Sequence, residues 1–145
     1  MFYGEYKHNL DTKGRLILPA KFREVCKEYG IDRFFITRGL DRCVFMFAES
    51  EWRIQEQKFK NMSFTKKETR SFNRMFFSGA VDVNPDKQGR FILPPYLKEY
   101  ASIQKSTIII GVSNRIEIWD KESWNKFYGD SNDSFEQIAE NLLEL

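Results

Sequence analysis

Residues 11–19 read DTKGRLILP and residues 86–94 read DKQGRFILP, so one chain of 145 residues carries nearly the same stretch twice. When the sequence is shifted by 75 positions, residues 2–24 fall on residues 77–99, with Asp, Gly, Arg, Ile, Leu and Pro of the stretch all retained. The shared residues keep their order in both halves. This pattern indicates a duplication with two units rather than a longer repeat array.

Each unit has the same predicted plan of elements. An alternating strand leads into a polar turn, a short strand, a helix that begins at proline, a β-hairpin and a second helix. A shift of 72 positions aligns residues 39–52 with residues 111–124, which ends both blocks on a tryptophan. Because a lone hairpin is marginal in water, we expect one pseudo-symmetric domain over 1–145, with repeat one at 1–76 and repeat two at 77–145.

Two segments lie outside the shared plan. The basic linker 60–76 belongs to repeat one, and its Thr65 and Glu68 fit a capping box, so we expect a helix there. Repeat two ends on SFEQIAENLLEL (134–145), which predicts an amphipathic helix that packs on the core or on a neighbouring subunit. The apolar face of that helix consists of Phe135, Ile138, Ala139 and Leu142.

Composition excludes several classes of protein. Hydrophobic residues make up 41% of the chain, so a packed core is expected. No apolar run approaches the roughly 20 residues of a membrane span, and the N-terminal MFYGEYKHNL lacks the pattern of a signal peptide. We therefore expect a soluble, cytoplasmic protein with no membrane partner.

The sequence also lacks the motifs of common enzymes and metal sites. The chain has one histidine, two cysteines without a CxxC pair, no GxSxG, no GxxxxGK[ST] and no GxGxxG. We expect no catalytic residues, no metal, no cofactor and no small-molecule substrate. A hydrolase built on Asp11 and Asp86 is conceivable if the two units bring them together, but the DTG or DSG motif of aspartic proteases is absent.

Charge is divided unequally between the halves. Residues 1–75 contain 16 Lys and Arg against 10 Asp and Glu, whereas residues 76–145 contain 7 against 11. One basic and one acidic half favour contact with an anion, or attraction between copies of the chain.

The repeated turn is where we expect the functional chemistry. Each turn reads D-x-x-G-R, and a tight turn brings Asp11 close to Arg15 and Asp86 close to Arg90, so each aspartate can hold its arginine by a charge-assisted bond. The aspartates and glycines shape the turn, the following I-L-P is scaffold, and the arginines are what the turn presents.

Polar residues around the two turns suit double-stranded DNA. Arginine can grip a guanine edge, Asn and Gln can read adenine, Lys and Thr can meet phosphates, and glycine lets the backbone approach a phosphate closely. The basic linker could add phosphate contacts. The candidate DNA-binding residues are Lys7, His8, Asn9, Thr12, Lys13, Gly14 and Arg15 in the first unit, and Asn84, Lys87, Gln88, Gly89 and Arg90 in the second.

The doubled D-x-x-G-R-x-x-[LI]-P signature, with GLDRCVFMF and its partner GVSNRIEIW, resembles the MraZ family of AbrB-like bacterial transcription factors. The resemblance covers nearly the whole chain. It implies a mainly β fold with short helices, namely a pseudo-twofold double-psi or swapped-hairpin β-barrel formed by the two tandem repeats. It also implies ring-shaped homo-oligomers in the cytoplasm, associated with the nucleoid.

As to function, the resemblance implies a regulator that binds short direct repeats upstream of the division and cell-wall gene cluster containing its own gene. The second unit departs from the pattern at four positions, where Lys13, Ala20, Phe22 and Arg23 of the first unit correspond to Gln88, Pro95, Leu97 and Lys98. It also lies in the acidic half of the chain, so we expect the first turn to dominate. The alternative is a non-enzymatic interaction or assembly module of antitoxin-like type. That module would use the acidic half and the final helix.

Overall fold

The computed structural model describes residues 1–143, which form eight strands and six helices. The first unit contains β1 (Phe2–Asn9), β2 (Arg15–Ile17), α1 (Ala20–Tyr29), β3 (Phe34–Arg38), β4 (Val44–Ala48) and α2 (Glu49–Lys60). The linker forms α3 (Lys67–Ser78). The second unit contains β5 (Val81–Val83), β6 (Arg90–Ile92), α4 (Pro95–Tyr100), β7 (Ser106–Ser113), β8 (Ile116–Asp120), α5 (Lys121–Asn132) and α6 (Phe135–Leu143).

The strands are arranged symmetrically about the two units. Six of them form an antiparallel sheet in the order β1-β7-β8-β4-β3-β5, and β2 pairs with β6 in a separate ribbon. The order reads the same from both edges once equivalent strands are exchanged. The predicted class, mainly β with short helices and two tandem units, is confirmed. Within residues 1–143 the ladders do not run around a closed barrel, because β1 and β5 each pair on one side only.

The first strand of each unit pairs with the other unit. β1 lies along β7 from Phe2 opposite Ser113 to Asn9 opposite Ser106. β5 pairs in the same way with β3, where Val83 lies opposite Phe34. This exchange is the swapped arrangement that the resemblance implied.

Equivalent residues meet where the two units face each other. In the ribbon Leu16 lies directly opposite Phe91, its equivalent at a shift of 75 positions. In the sheet Phe45 lies opposite Glu117, its equivalent at a shift of 72 positions. A pseudo-twofold axis therefore passes through both pairs.

Each face of the sheet has its own apolar cluster. One face packs on the ribbon and on α1 and α4 through residues such as Leu16, Phe22, Phe91 and Leu97, all buried. The opposite face packs on α2, α3 and α5, with Trp52 stacked on Phe76 at a centroid distance of 5.5 Å. Alternating strand residues thus place the ribbon on one side and the long helices on the other.

The start of the linker helix differs from expectation. The linker is helical as predicted, but the capping box is wrong: the N-cap is Lys66 without a side-chain bond, while the hydroxyl oxygens of Thr65 and Ser63 are 2.7 Å apart. The helix thus begins one residue too late for a Thr65 cap.

The C-terminal helix forms as predicted over the residues the structure describes, and Glu144 and Leu145 lie outside them. The expectation that this helix packs on the core is wrong, because Phe135, Ile138 and Leu142 are 69%, 46% and 75% exposed. Within residues 1–143, no helix combines the length and the apolar character needed to cross a bilayer.

The strand exchange predicts that neither half folds alone as a monomer. Fragment 1–76 lacks β7, the partner of its first strand, and fragment 77–145 lacks β3, the partner of its first strand. Each fragment also has only one of the two ribbon strands. We expect each fragment to lack a cooperative urea transition when monomeric, and an equimolar mixture to regain the far-ultraviolet circular dichroism of the full chain. Cooperative unfolding of either fragment, shown to be monomeric by sedimentation, would contradict this.

Candidate nucleic-acid interface

The first repeated turn is built around one carboxylate. Oδ1 of Asp11 accepts the backbone N–H groups of Lys13 (2.8 Å) and Arg15 (2.9 Å), and Oδ2 accepts Nε of Arg15 at 2.7 Å. The backbone N–H of Gly14 donates to the carbonyl of Asp11 at 3.1 Å, which closes a tight turn. Gly14 has φ +74°, a left-handed conformation that favours glycine. The predicted bond between Asp11 and Arg15 is confirmed.

The second turn repeats this network almost atom for atom. Oδ1 of Asp86 accepts the N–H groups of Gln88 and Arg90, both at 2.9 Å, and Oδ2 accepts Nε of Arg90 at 2.8 Å. Gly89 again has a positive φ, +82°. The same short sequence therefore produces the same local structure twice.

These networks keep both aspartates ionised. The N–H of Arg15 has the largest effect and, with its guanidinium and the N–H of Lys13, lowers the pKa of Asp11 despite an opposing effect of desolvation. The groups of Arg90 and Gln88 lower the pKa of Asp86 in the same order. An aspartic dyad needs one carboxyl with a raised pKa. These two carboxylates serve as turn centres instead.

Each turn is tied to the other unit. The N–H of Leu18 donates to the carbonyl of Gly89 at 2.7 Å, and the N–H of Leu93 donates to the carbonyl of Gly14 at 3.0 Å. These two bonds lie at the ends of the β2–β6 ribbon, so each turn is hydrogen-bonded to the opposite unit.

The ribbon presents both arginines on the same face. Arg15 lies opposite Ile92, and Ile17 lies opposite Arg90, while the central Leu16 and Phe91 point inward. Directly opposed residues of a strand pair share a face. Only Nε of each arginine is bonded to a protein acceptor within residues 1–143, so the two terminal nitrogens of each guanidinium remain available.

The two turns differ in one contact. The guanidinium of Arg23 on α1 donates to the carbonyl of Gln88 at 2.9 Å and covers Gly89, which is buried. The equivalent Lys98 makes no such bond to the first turn within residues 1–143, and the space beside Gly14 is open. The second turn is therefore clamped and the first is not.

Other predicted residues fall into two groups. Thr12, Lys13, Lys87 and Gln88 are exposed on the turns, and Asn84 lines a groove of about 430 Å³ together with Arg15, Arg90 and Ile92. Lys7, His8 and Asn9 lie on β1, the strand that leads into the first turn. The structure thus brings the candidate residues of both units to the ribbon and the strand ends beside it.

The basic linker does not join this group. Phe72 and Phe76 anchor α3 in the cluster on the sheet face opposite the ribbon. Arg70 donates to the backbone carbonyls of Phe64 and Thr65 at 3.1 and 2.9 Å, so its guanidinium serves the preceding bend.

Sequence reasoning missed two features of the site. It treated Ile17 as scaffold, whereas Ile17 and its equivalent Ile92 are 40% and 61% exposed on the outer face of the ribbon. The alternation in R-L-I and R-F-I could have revealed this, because the buried middle residue forces its neighbours outward. It also missed the clamp by Arg23, for which the sequence contains no local signal.

The fold and the site define a tandem AbrB-like protein, with two interlocked units that each present one D-x-x-G-R turn. The chain belongs to the MraZ family: the model of the family described as "MraZ protein, putative antitoxin-like" matches residues 1–75 and again residues 76–145. The membership agrees with a regulator of AbrB type. No group of three or more His, Cys, Asp or Glu converges within residues 1–143 in a way that could hold a metal ion.

His8 makes the stability of this region depend on pH. Partial burial, and then the charge of Arg23, lower the pKa of His8. A histidine held neutral in the folded chain stabilises it fully above its unfolded pKa of about 6.5 and progressively less below that value. We predict that acidification from about pH 7.5 to about pH 5.5 lowers the free energy of unfolding more in the wild type than in His8→Gln. Urea denaturation at both pH values tests this, and equal losses in the two proteins would refute it.

Proposed function

We propose that the chain is a sequence-specific, non-enzymatic DNA-binding regulator that contacts DNA through its two D-x-x-G-R turns. One observation carries the proposal. Arg15 and Arg90 are each held at Nε by the aspartate of their own turn, while their terminal nitrogens stay available on one exposed ribbon face. An arginine with two free nitrogens can bind O6 and N7 of guanine together.

The shape of the site supports binding in the major groove. That groove admits a two-stranded β-ribbon as well as a helix, and β2 and β6 form such a ribbon with both turns at its ends. Lys13, Thr12 and Lys87 are exposed next to the arginines and are suited to phosphate contacts. Asn84 borders the groove beside Arg15 and can donate to and accept from a base edge.

The two turns are proposed to act unequally. The first carries Lys13 and leaves open space beside Gly14, so a phosphate can approach its backbone. The second has Gln88 in place of Lys13, and Arg23 occupies both the carbonyl of Gln88 and the space beside Gly89. We propose that the first turn contributes most of the affinity.

Assembly into a ring extends the proposal. One subunit offers two short turns, which is little surface for the affinities of about 10⁻⁸–10⁻¹¹ M that are typical of specific DNA binding. Several copies on successive direct repeats would raise avidity through effective concentration. As the resemblance to the family implies, we propose that the target is a set of repeats upstream of the division and cell-wall gene cluster that contains the chain's own gene. We propose a cytoplasmic, nucleoid-associated location for the same reason.

An interaction module is the second candidate, and one observation favours it. The apolar face of α6 is exposed, with Phe135 at 69% and Leu142 at 75%, and it belongs to the acidic half of the chain. The family description as antitoxin-like also agrees with a partner-binding role. DNA binding through Lys and Arg weakens steeply with salt. Failure to retain any upstream DNA fragment at low salt would therefore favour this second candidate.

The turn assignment predicts a graded effect of substitutions in the ribbon. Arg15→Ala is expected to weaken binding to DNA from upstream of the chain's coding sequence by about tenfold to a hundredfold, the worth of one bidentate base contact. Arg15→Lys should also lose most of the specific affinity for this DNA, and Arg90→Ala should lose a smaller part of that affinity. Fluorescence anisotropy against a scrambled duplex measures the specific part.

The matched control is Lys58→Ala, which removes a positive charge from α2 on the opposite face of the sheet. It is expected to leave specific affinity unchanged. Urea midpoints monitor folding in each variant. Wild-type affinity in Arg15→Ala would remove the turn from the binding site.

Assembly through α6 predicts a change in sedimentation. Leu142→Asp places a charge on the exposed apolar face and should lower the weight-average sedimentation coefficient, because a charge is costly to bury between copies. Ile54→Asp, at an isoleucine that is 50% exposed on α2, is the control and should sediment as the wild type. Identical sedimentation of Leu142→Asp and the wild type would exclude α6 from the subunit contact.

A further inference from the structure

The outer face of the ribbon alternates charge and apolar surface. Arg15 stands opposite Ile92, and Ile17 stands opposite Arg90, so the four outward side chains form two diagonal pairs. The two isoleucines are 40% and 61% exposed. The pseudo-twofold axis repeats this Arg–Ile pair once in each half of the ribbon.

The isoleucines are not needed for the core. Leu16 and Phe91, at 0% and 4% exposure, already fill the inner face of the ribbon. Single exposed apolar side chains are common on protein surfaces, but here isoleucine occupies both equivalent outward positions, and each isoleucine lies opposite an arginine. The repetition of isoleucine at both equivalent positions therefore points to a ligand that presents apolar groups next to anionic or acceptor groups.

We propose that Ile17 and Ile92 recognise the 5-methyl group of thymine in the major groove, next to the guanine bound by each arginine. This inference rests on the proposed DNA-binding function. The thymine methyl is the apolar group exposed in the major groove, and aliphatic side chains contact it in direct readout. The arginines next to the isoleucines supply charge complementarity to DNA.

The spacing on the ribbon fits this assignment. Opposed side chains of an antiparallel pair have Cβ atoms about 4.5–5.5 Å apart, and successive base pairs are about 3.4 Å apart along the DNA axis. An arginine on a guanine therefore places its isoleucine one or two base pairs away. The groove beside Ile92, with Arg15, Arg90 and Asn84 on its walls, leaves room for base edges at that position.

Replacement of thymine by deoxyuridine removes the methyl group and keeps the base pairing. The duplex from upstream of the chain's coding sequence is amplified with either thymidine or deoxyuridine triphosphate, and both forms are titrated against the protein by anisotropy. The wild type is expected to bind the thymine duplex more tightly, by about fourfold per contacted methyl, which is the worth of burying one such group. In Ile17→Ser/Ile92→Ser this preference should fall to unity.

The control is Ile54→Ser, which removes an isoleucine of similar exposure from α2, on the other face of the sheet, and should keep the full thymine preference. A preference caused by DNA shape alone would persist in the double variant and would overturn the inference. Equal binding of the two duplexes by the wild type would also overturn it, with the DNA-binding function intact.

Two further outcomes separate the inference from its premise. If the wild type retains neither duplex at low salt, the proposed function fails and the inference fails with it. If the double variant keeps its thymine preference but changes its sedimentation coefficient, the isoleucines belong to a contact between copies and the inference is wrong.

Discussion

The exchange of first strands between the two units is the constraint on which the rest of the structure depends. Among residues 1–143, β1 pairs only with β7, and β5 pairs only with β3. The chain leaves each of these strands directly into a D-x-x-G-R turn, so the exchange also fixes where the turns lie. The reciprocal bonds from Leu18 to Gly89 and from Leu93 to Gly14 then lock each turn to the opposite unit. The two equivalent arginines lie on one ribbon because the strands of both units pair with each other.

Duplication imposes symmetry, and the residues on the pseudo-twofold axis show where the chain departs from it. In the ribbon the axis passes between two apolar residues, Leu16 and Phe91, and the core stays continuous. In the sheet it passes between Phe45 and the buried Glu117. Burial of a carboxylate is costly unless its oxygens are satisfied. Here Arg115 donates to Oε2 at 3.0 Å and Trp119 to Oε1 at 2.9 Å, which fixes a local structure that the first unit lacks.

Elements set by local sequence could be predicted, and contacts between distant residues could not. The turns, the short strands and the helix that begins after Pro19 follow from Asp, Gly and Pro at fixed positions, and the structure has them all. The bond between Asp11 and Arg15 was predictable because four residues of a tight turn bring them together. The clamp of Arg23 on Gln88 spans 65 positions, and the exposure of Ile17 depends on its partner strand. The alternation in R-L-I indicates that Ile17 points away from Leu16, but which face is buried depends on the partner strand, and no local pattern encodes the clamp of Arg23.

Arginine suits the turns because one guanidinium can bind the aspartate and direct other nitrogens outward at the same time. A lysine ammonium held by Asp11 would present its remaining N–H groups from the same single nitrogen, without a fixed planar geometry. The planar guanidinium can give Nε to the carboxylate and still direct two terminal nitrogens outward in a fixed fork. Holding the side chain in advance reduces the conformational entropy that is lost on binding, about 0.5–1.5 kcal/mol for a flexible side chain. Because Asp86 and Arg90 repeat this arrangement on the same ribbon, the fork is oriented twice by the same local geometry. Under the proposed function, the aspartate of each turn contributes to recognition by orienting its arginine rather than by touching the DNA.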